Sequence, residues 1–341
     1  MNVVFLTNKL VNGGGERVLV RLIEGVSAAG GTATILFLGK RAAISMDIQR
    51  EMESAGAHVV LPTDPLAAWN VLRSATSLHL YNINVYVKAL MLWPLMVRRR
   101  VICHVHGAAE SANPLARRVF CAGWNPCDYL VFVSEAGKAS YGIARGIVVP
   151  NPVVFPPVRS GGEISAGRRL RLLSVNRLVK VKRVAAQIEI IAALRDRHGL
   201  NVTLDIVGEG AEHELLAAKV EALCLGEAVH FLGGRDHKDV LELYQSYDVF
   251  LATSAAEGLG LSLIEALAAG LPAFAASIPP YREVSAIGGG VQFIDPDAPA
   301  AAADEIAEAL IAGTLAPADS SALRQSFDPD AFLARMTELY R

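Results

Sequence analysis

NVVFLTNKLVNGGGERVLVRLIEGVSAA, residues 2–29, is the stretch that decides the fold. Residues 2–7 are a short β-branched run, the glycines that follow form a turn, and residues 16–29 carry apolar side chains at helical spacing. Strand, glycine loop and helix in that order open a βαβ unit. The pattern then repeats. Residues 32–38, 57–61, 78–81, 101–105 and 129–133 read as short buried strands between helical stretches, which is the signature of a parallel sheet with helices on its faces. From Ile147 onward IVVPNPVVFPPVRSGGEISAGRR is rich in Pro and Gly without periodicity and reads as a linker. A second series follows, with strands at 170–175, 203–207, 229–232, 249–252 and 272–275 and helices at 184–198, 212–224, 237–244 and 261–269. The expected architecture is α/β: two Rossmann-like α/β/α domains with parallel sheets facing across a cleft, where ligands of such sheets bind. The expected boundaries are 1–150, a linker at 151–168, 169–327, and a C-terminal helix at 328–341 that crosses back to the first domain.

The composition fits that size. The chain has 341 residues, 52% hydrophobic and 19% charged, with mean hydropathy +0.35, enough apolar material for two cores and too little charge for disorder. No uncharged apolar run approaches the roughly 18 residues of a membrane span; the best stretch, residues 81–97, is broken by Lys88 and Pro94. The net charge of −2 argues against a nucleic-acid partner. It hides an asymmetry. Residues 1–150 hold 15 Lys and Arg against 9 Asp and Glu, and the remainder 17 against 25, so one half is suited to an anionic surface. Cys103, Cys121, Cys127 and Cys224 are too few and scattered for a disulfide framework or a zinc site, which suggests a reducing compartment. The start MNVVFLT lacks the regions of a signal peptide, so the expected location is cytoplasmic.

Three segments carry chemistry. In Asn12, Gly13, Gly14, Gly15 and Glu16 the glycines let backbone N–H groups approach an anion; the plainer reading is a tight turn. The spacing lacks the third glycine of a dinucleotide fingerprint, which counts against a nicotinamide enzyme. In SVNRLVKVKR, residues 174–183, Arg177 and Lys182 follow a strand and offer a fork and a compact charge to a diphosphate. A basic run at a helix start opposes the dipole, and a bound anion would explain it; a solvated loop is the alternative. In AAEGLGLSLIEALAAGLP, residues 255–272, Glu257 falls in a loop, Glu265 lies about one turn into a helix, and the N–H groups of Leu259, Gly260 and Leu261 face an anion at the helix start. Carboxylates beside a diphosphate need other donors, and sugar hydroxyls supply them: the transferred sugar on Glu257, the ribose on Glu265. Glu265 alone could also be a carboxylate favoured by the helix dipole.

With HVHG at 104–107 and IVGEG at 206–210, these segments resemble the retaining glycosyltransferases of family four, which have the GT-B fold. The resemblance runs through the whole chain. It implies transfer of a sugar from a UDP- or GDP-linked donor to a glycan or lipid-linked acceptor, with retention, no metal and no cofactor beyond the donor itself, in cell-envelope polysaccharide or glycolipid assembly. It places Arg177 and Lys182 on the diphosphate, Glu265 on the ribose, Glu257 on the donor sugar, Gly13 and Gly14 over the phosphates, Gly208 in the donor site, and His106 against the sugar. A buried structural histidine is the competing reading for His104 or His106. The sequence departs from the family where Asn176 replaces a glycine before Arg177, where Arg183 replaces the glycine after the Lys, and where Leu259 replaces Phe. Residues 85–100 (VYVKALMLWPLMVRRR), with Trp93, and the nearby Arg117 and Arg118 suit either a peripheral contact with an anionic membrane at its inner face or a buried helix with a basic end. A non-catalytic nucleotide-sugar-binding protein of the same fold is the alternative to an enzyme.

Overall fold

The computed structural model describes residues 1–11, 13–40, 44–61, 64–90, 99–122, 126–159 and 169–341. Asn12, Trp93 and Arg98, and residues 160–168 of the expected linker, lie outside the described residues. Two compact units form, residues 1–152 with 327–341, and residues 153–326.

The first unit is a seven-stranded sheet in the order β3-β2-β1-β4-β5-β6-β7. Its strands are β1 (Asn2–Thr7), β2 (Thr32–Phe37), β3 (Ala57–Val60), β4 (Ser77–Tyr81), β5 (Arg100–Val105), β6 (Tyr129–Phe132) and β7 (Ile147–Val148), and the pairs are parallel. Alternation along β1 sends Val3 and Phe5 to one face and Val4 and Leu6 to the other, so each face builds its own core. Helix Gly14–Ala28 covers the first face with Val18, Leu19, Leu22, Ile23 and Val26, all buried. Each such side chain contributes about 1.5–3 kcal/mol relative to exposure. The C-terminal helix Pro329–Tyr340 completes this face. It starts on an Asp328 cap to the Ala331 N–H (2.8 Å) with Pro329 at its first turn, buries Phe332, Met336, Leu339 and Tyr340, and is held by Ser77 Oγ donating to the Tyr340 carbonyl (3.0 Å).

The second unit has six parallel strands in the order β10-β9-β8-β11-β12-β13. They are β8 (Leu170–Val175), β9 (Val202–Val207), β10 (Val229–Gly233), β11 (Val249–Ala252), β12 (Ala273–Ala276) and β13 (Val291–Ile294). In each sheet the strand order reverses once, between β1 and β4 and between β8 and β11. The connections there leave in opposite directions and open a crevice at the strands' carboxyl ends.

Two short strands differ from the sequence reading. The stretch from Ile147 does not begin as a linker, because Ile147 and Val148 pair with Val131 and Phe132 as the sheet's edge strand. Pro150 and Pro152 follow at once, so the strand is too short to show an alternation. Strand β13 lies between GGG and DPD and was likewise not expected. Residues after Val153 are also fixed: the Arg159 N–H donates to the Ala269 carbonyl (2.8 Å) and its guanidinium to Asp248 (3.1 Å). Among the described residues no helix is long and apolar enough to cross a membrane.

Candidate donor site

The crevice between β8 and β11 is built by two loops that brace each other. After β8 the chain turns so that the Asn176 N–H meets the Val207 carbonyl (3.0 Å) and the Leu178 N–H meets the Glu209 carbonyl (2.8 Å). Gly208 allows this approach: its φ is +134°, and a Cβ there would lie 1.9 Å from the Asn176 oxygen. The sequence-predicted Gly208 is therefore the backbone seat of the loop that carries Arg177. Arg177 itself is exposed and makes no ion pair among the described residues.

A single 3-10 turn, Lys180–Lys182, follows, and then Arg183 with φ +51°. This is the position where the resemblance places glycine. The arginine keeps the left-handed backbone that a glycine would adopt at less cost, and ion-pairs Asp297 at 3.0 Å. The turn is fastened to the loop after β11 by Thr253 Oγ1 donating to the Lys182 carbonyl (3.0 Å) and by the Ala255 N–H donating to the Val181 carbonyl (2.7 Å).

That fastening brings Lys182 and Glu257 together. Lys182 Nζ donates to Glu257 Oε1 at 2.5 Å, Ser254 Oγ at 2.7 Å and Tyr281 OH at 3.2 Å to the same oxygen. Three donors on Oε1 fix the carboxylate plane and leave the lone pairs of Oε2 for an incoming hydroxyl, while Lys182 keeps two further N–H groups. Burial, and then the charge of Glu257, push the Tyr281 hydroxyl well above its ordinary range, so it stays a donor.

Glu265 sits in helix Leu261–Ala268 and is 8% exposed. Its Oε1 faces His237 Nε2 at 2.8 Å and its Oε2 accepts from Tyr244 OH at 2.9 Å. The helix starts on Gly260, whose φ of +94° and close approach to Tyr281 exclude a side chain; a Cβ would lie 2.5 Å from Tyr281 Cε1. The Leu263 N–H turns back to the Gly260 carbonyl (3.1 Å), and the N–H groups of Leu261 and Ser262 precede any intrahelical acceptor, which makes this end attractive to an anion. Leu259, in place of the family's Phe, is buried.

His237, Tyr244, Ser254 and Tyr281 were not singled out in the sequence. Tyr244→Phe is expected to cost about 1–3 kcal/mol of stability, because it leaves a buried carboxylate short of a donor. Urea unfolding against wild type measures it; an unchanged midpoint would show that Glu265 does not depend on Tyr244.

The crevice between β1 and β4 holds the other predicted residues. Gly13 is the N-cap of helix Gly14–Ala28, in extended conformation, and a Cβ on it would lie 3.0 Å from Glu16 Oε2. The Glu16 carboxylate thus already lies against this helix start and would compete with a phosphate covered by Gly13 and Gly14. Tyr81 OH donates to the Gly15 carbonyl. Beyond the end of β5, His106 packs against Tyr81 and His104 with tilted rings, the centroids 4.3 and 4.0 Å apart. His104 is fully buried and, with His79, held neutral chiefly by that burial, so the structural-histidine reading fits it. Burial likewise pushes His106 down to about 3. Among the described residues no three His, Cys, Asp or Glu side chains are grouped as a metal site.

Residues 163–320 match the family described as glycosyl transferases group 1. Over 199 residues the chain is 30% identical to the amylovoran biosynthesis glycosyltransferase AmsD of Erwinia amylovora, covering 55% of each chain. Over 108 residues it is 35% identical to the UDP-N-acetylglucosamine–peptide N-acetylglucosaminyltransferase GtfA subunit of Streptococcus parasanguinis, covering 32% of this chain and 21% of that one. The match thus spans about a fifth of the GtfA subunit's length. Among solved structures, Anabaena HepE in complex with UDP-glucose superposes with a TM-score of 0.78 at 20% identity, covering 99% of this chain and 98% of that chain. The lipopolysaccharide outer core galactosyltransferase WaaB gives 0.69 at 17% identity, covering 99% of each chain. The family match thus lies within the carboxyl-terminal unit, and the chain has the GT-B fold.

Proposed function

From that match we propose that the protein transfers a sugar from a nucleotide-diphosphate donor, UDP-linked by preference, to a glycan or lipid-linked acceptor. The observation that carries the reading is the pairing, at one switch point, of Lys182 with a Glu257 carboxylate held by three donors, beside a second carboxylate held by two. Breaking the bond between sugar and phosphate puts negative charge on the leaving diphosphate. Arg177, the free N–H groups of Lys182 and the helix start at Gly260 to Leu261 would take up that charge, the part a metal plays elsewhere. Glu257 Oε2 would accept from a sugar hydroxyl and Glu265 from the ribose. Retention at the anomeric carbon is proposed on the family resemblance, and UDP is favoured because the HepE and GtfA structures are described with UDP.

With the nucleotide on the second unit, the acceptor would fall to the first. AmsD's part in amylovoran biosynthesis supports a role in cell-envelope polysaccharide. Exposed Leu115, Arg117 and Arg118 on helix Pro114–Cys121 suit a peripheral contact with anionic lipid at the inner face of the membrane. Flotation with anionic vesicles at low salt tests that contact, and its absence would remove it.

The reaction is tested by incubating the protein, in EDTA, with UDP-glucose, UDP-N-acetylglucosamine, UDP-galactose and GDP-mannose without acceptor. One donor should raise the melting temperature and release nucleoside diphosphate slowly. A melting shift without release indicates a binding protein, and no shift with any donor contradicts the proposal.

A further inference from the structure

Glu265 is pinned at both oxygens, and the two side chains that pin it differ in burial. Tyr244, fully buried, donates to Oε2 at 2.9 Å. His237 faces Oε1 at 2.8 Å, with its own side chain 21% exposed. A carboxylate oxygen only accepts, so the ring proton at that contact sits on Nε2. Each oxygen takes one of these donors and keeps a second lone pair. Two lone pairs on the neighbouring oxygens of one fixed carboxylate suit a pair of adjacent hydroxyls, which a ribose offers at its 2′ and 3′ positions.

The backbone that delivers His237 is itself braced. Three residues separate it from β10, and that loop is tied to the loop after β9 at two points: the Gly208 N–H donates to the Gly233 carbonyl (2.8 Å) and the Gly234 N–H to Glu209 Oε1 (3.2 Å). Arg235 Nε closes onto the Leu232 carbonyl (3.1 Å), and the Val240 N–H onto the Asp236 carbonyl (3.0 Å). His237 opens helix His237–Leu243, and Tyr244 follows at once in a 3-10 turn. Seven residues are about two helical turns, so the two donors reach Glu265 from one side of a single segment.

We propose that His237 is a positioning residue that, with Tyr244, sets the Glu265 carboxylate to accept one hydroxyl on each oxygen, and so makes the site selective for ribonucleotides over deoxyribonucleotides. This rests on the reading above that Glu265 takes the ribose. Tyr244 alone leaves the carboxylate free to turn about the contact at Oε2. A second donor on Oε1 removes that freedom and fixes the plane. Two simultaneous hydrogen bonds need a fixed plane, whereas a single one tolerates a turned carboxylate. The loss of His237 is therefore felt by a diol and hardly by a lone hydroxyl.

The test is calorimetric titration of UDP, 2′-deoxy-UDP and 3′-deoxy-UDP, with the three guanosine counterparts in parallel, into wild type, His237→Ala and His237→Gln. For the base that binds, wild type should hold the ribose form at least about tenfold more tightly than either deoxy form, the worth of one hydrogen bond to a charged group. His237→Ala should bring that preference to within about threefold by weakening the ribose form, because the deoxy forms never used both oxygens. His237→Gln, whose Nε2 stands about where the imidazole's does and still donates, should keep the preference. His237→Phe, which fills the space without donating, serves if the alanine variant does not fold. A preference that survives in His237→Ala, or an equal weakening of all three ligands there, overturns the inference. Wild type that binds no nucleoside diphosphate, or binds all three forms alike, instead overturns the reading on which it rests.

Discussion

Lys182→Ala is expected to lower turnover of a nucleotide-sugar donor by about 10²–10³-fold, the usual cost of removing one fixed donor from developing negative charge. The loss has two parts. The leaving diphosphate loses a cation, and Glu257 Oε1 loses the shortest of its three partners, so that only Ser254 and Tyr281 still hold the carboxylate. Lys182→Arg should restore little of it. Lys182 is only 15% exposed and is packed against Ser254 and Glu257, where the larger planar fork of arginine would push Glu257 out of place. Initial rates of donor hydrolysis at saturating donor check both variants, with melting temperature as the control for folding. A loss of less than about threefold in Lys182→Ala would place the chemistry elsewhere.

Gly208→Ala is expected to destabilise the second unit by about 3 kcal/mol or more, by combining a backbone conformation that L-residues rarely adopt with a clash against backbone. A methyl group at that position would lie 1.9 Å from the Asn176 oxygen and 2.9 Å from its carbonyl carbon, atoms that no rotamer change can move away. Relief requires moving the Asn176–Arg177 segment and breaking its bond to Val207, so donor affinity should fall with stability. At about 2–4 °C per kcal/mol for a unit of this size, calorimetry should show a drop of about 6 °C or more. An unchanged melting temperature would mean that the loop after β8 is free to shift and does not hold Arg177.

The residues legible in the sequence are those whose neighbours in the chain announce them. Lys182 and Glu257 each follow a buried apolar run, and a charge just past such a run lies at the carboxyl end of a strand; β11 spans residues 249–252, as its apolar run indicated. Their partners were not legible. His237, Tyr244 and Tyr281 reach the two carboxylates from 28, 21 and 24 residues away, and each reads locally as a helix-surface or core residue. Arg183 shows the opposite case. There the residue departs from the family's glycine yet keeps the glycine-like backbone, because its neighbours fix the turn from both sides. Short-range periodicity identifies sheets and switch points, whereas the donors that lock a carboxylate depend on strand order, which brings distant segments together.

Calorimetric titration of UDP and UMP into the protein in EDTA, with GDP and GMP in parallel, tests most directly whether Arg177 and Lys182 form a diphosphate site. One nucleoside diphosphate should bind at least about tenfold more tightly than its monophosphate, the contribution of a charge-assisted hydrogen bond, and the difference should collapse in Lys182→Ala. Binding of neither diphosphate, or a difference that survives the loss of Lys182, would contradict it.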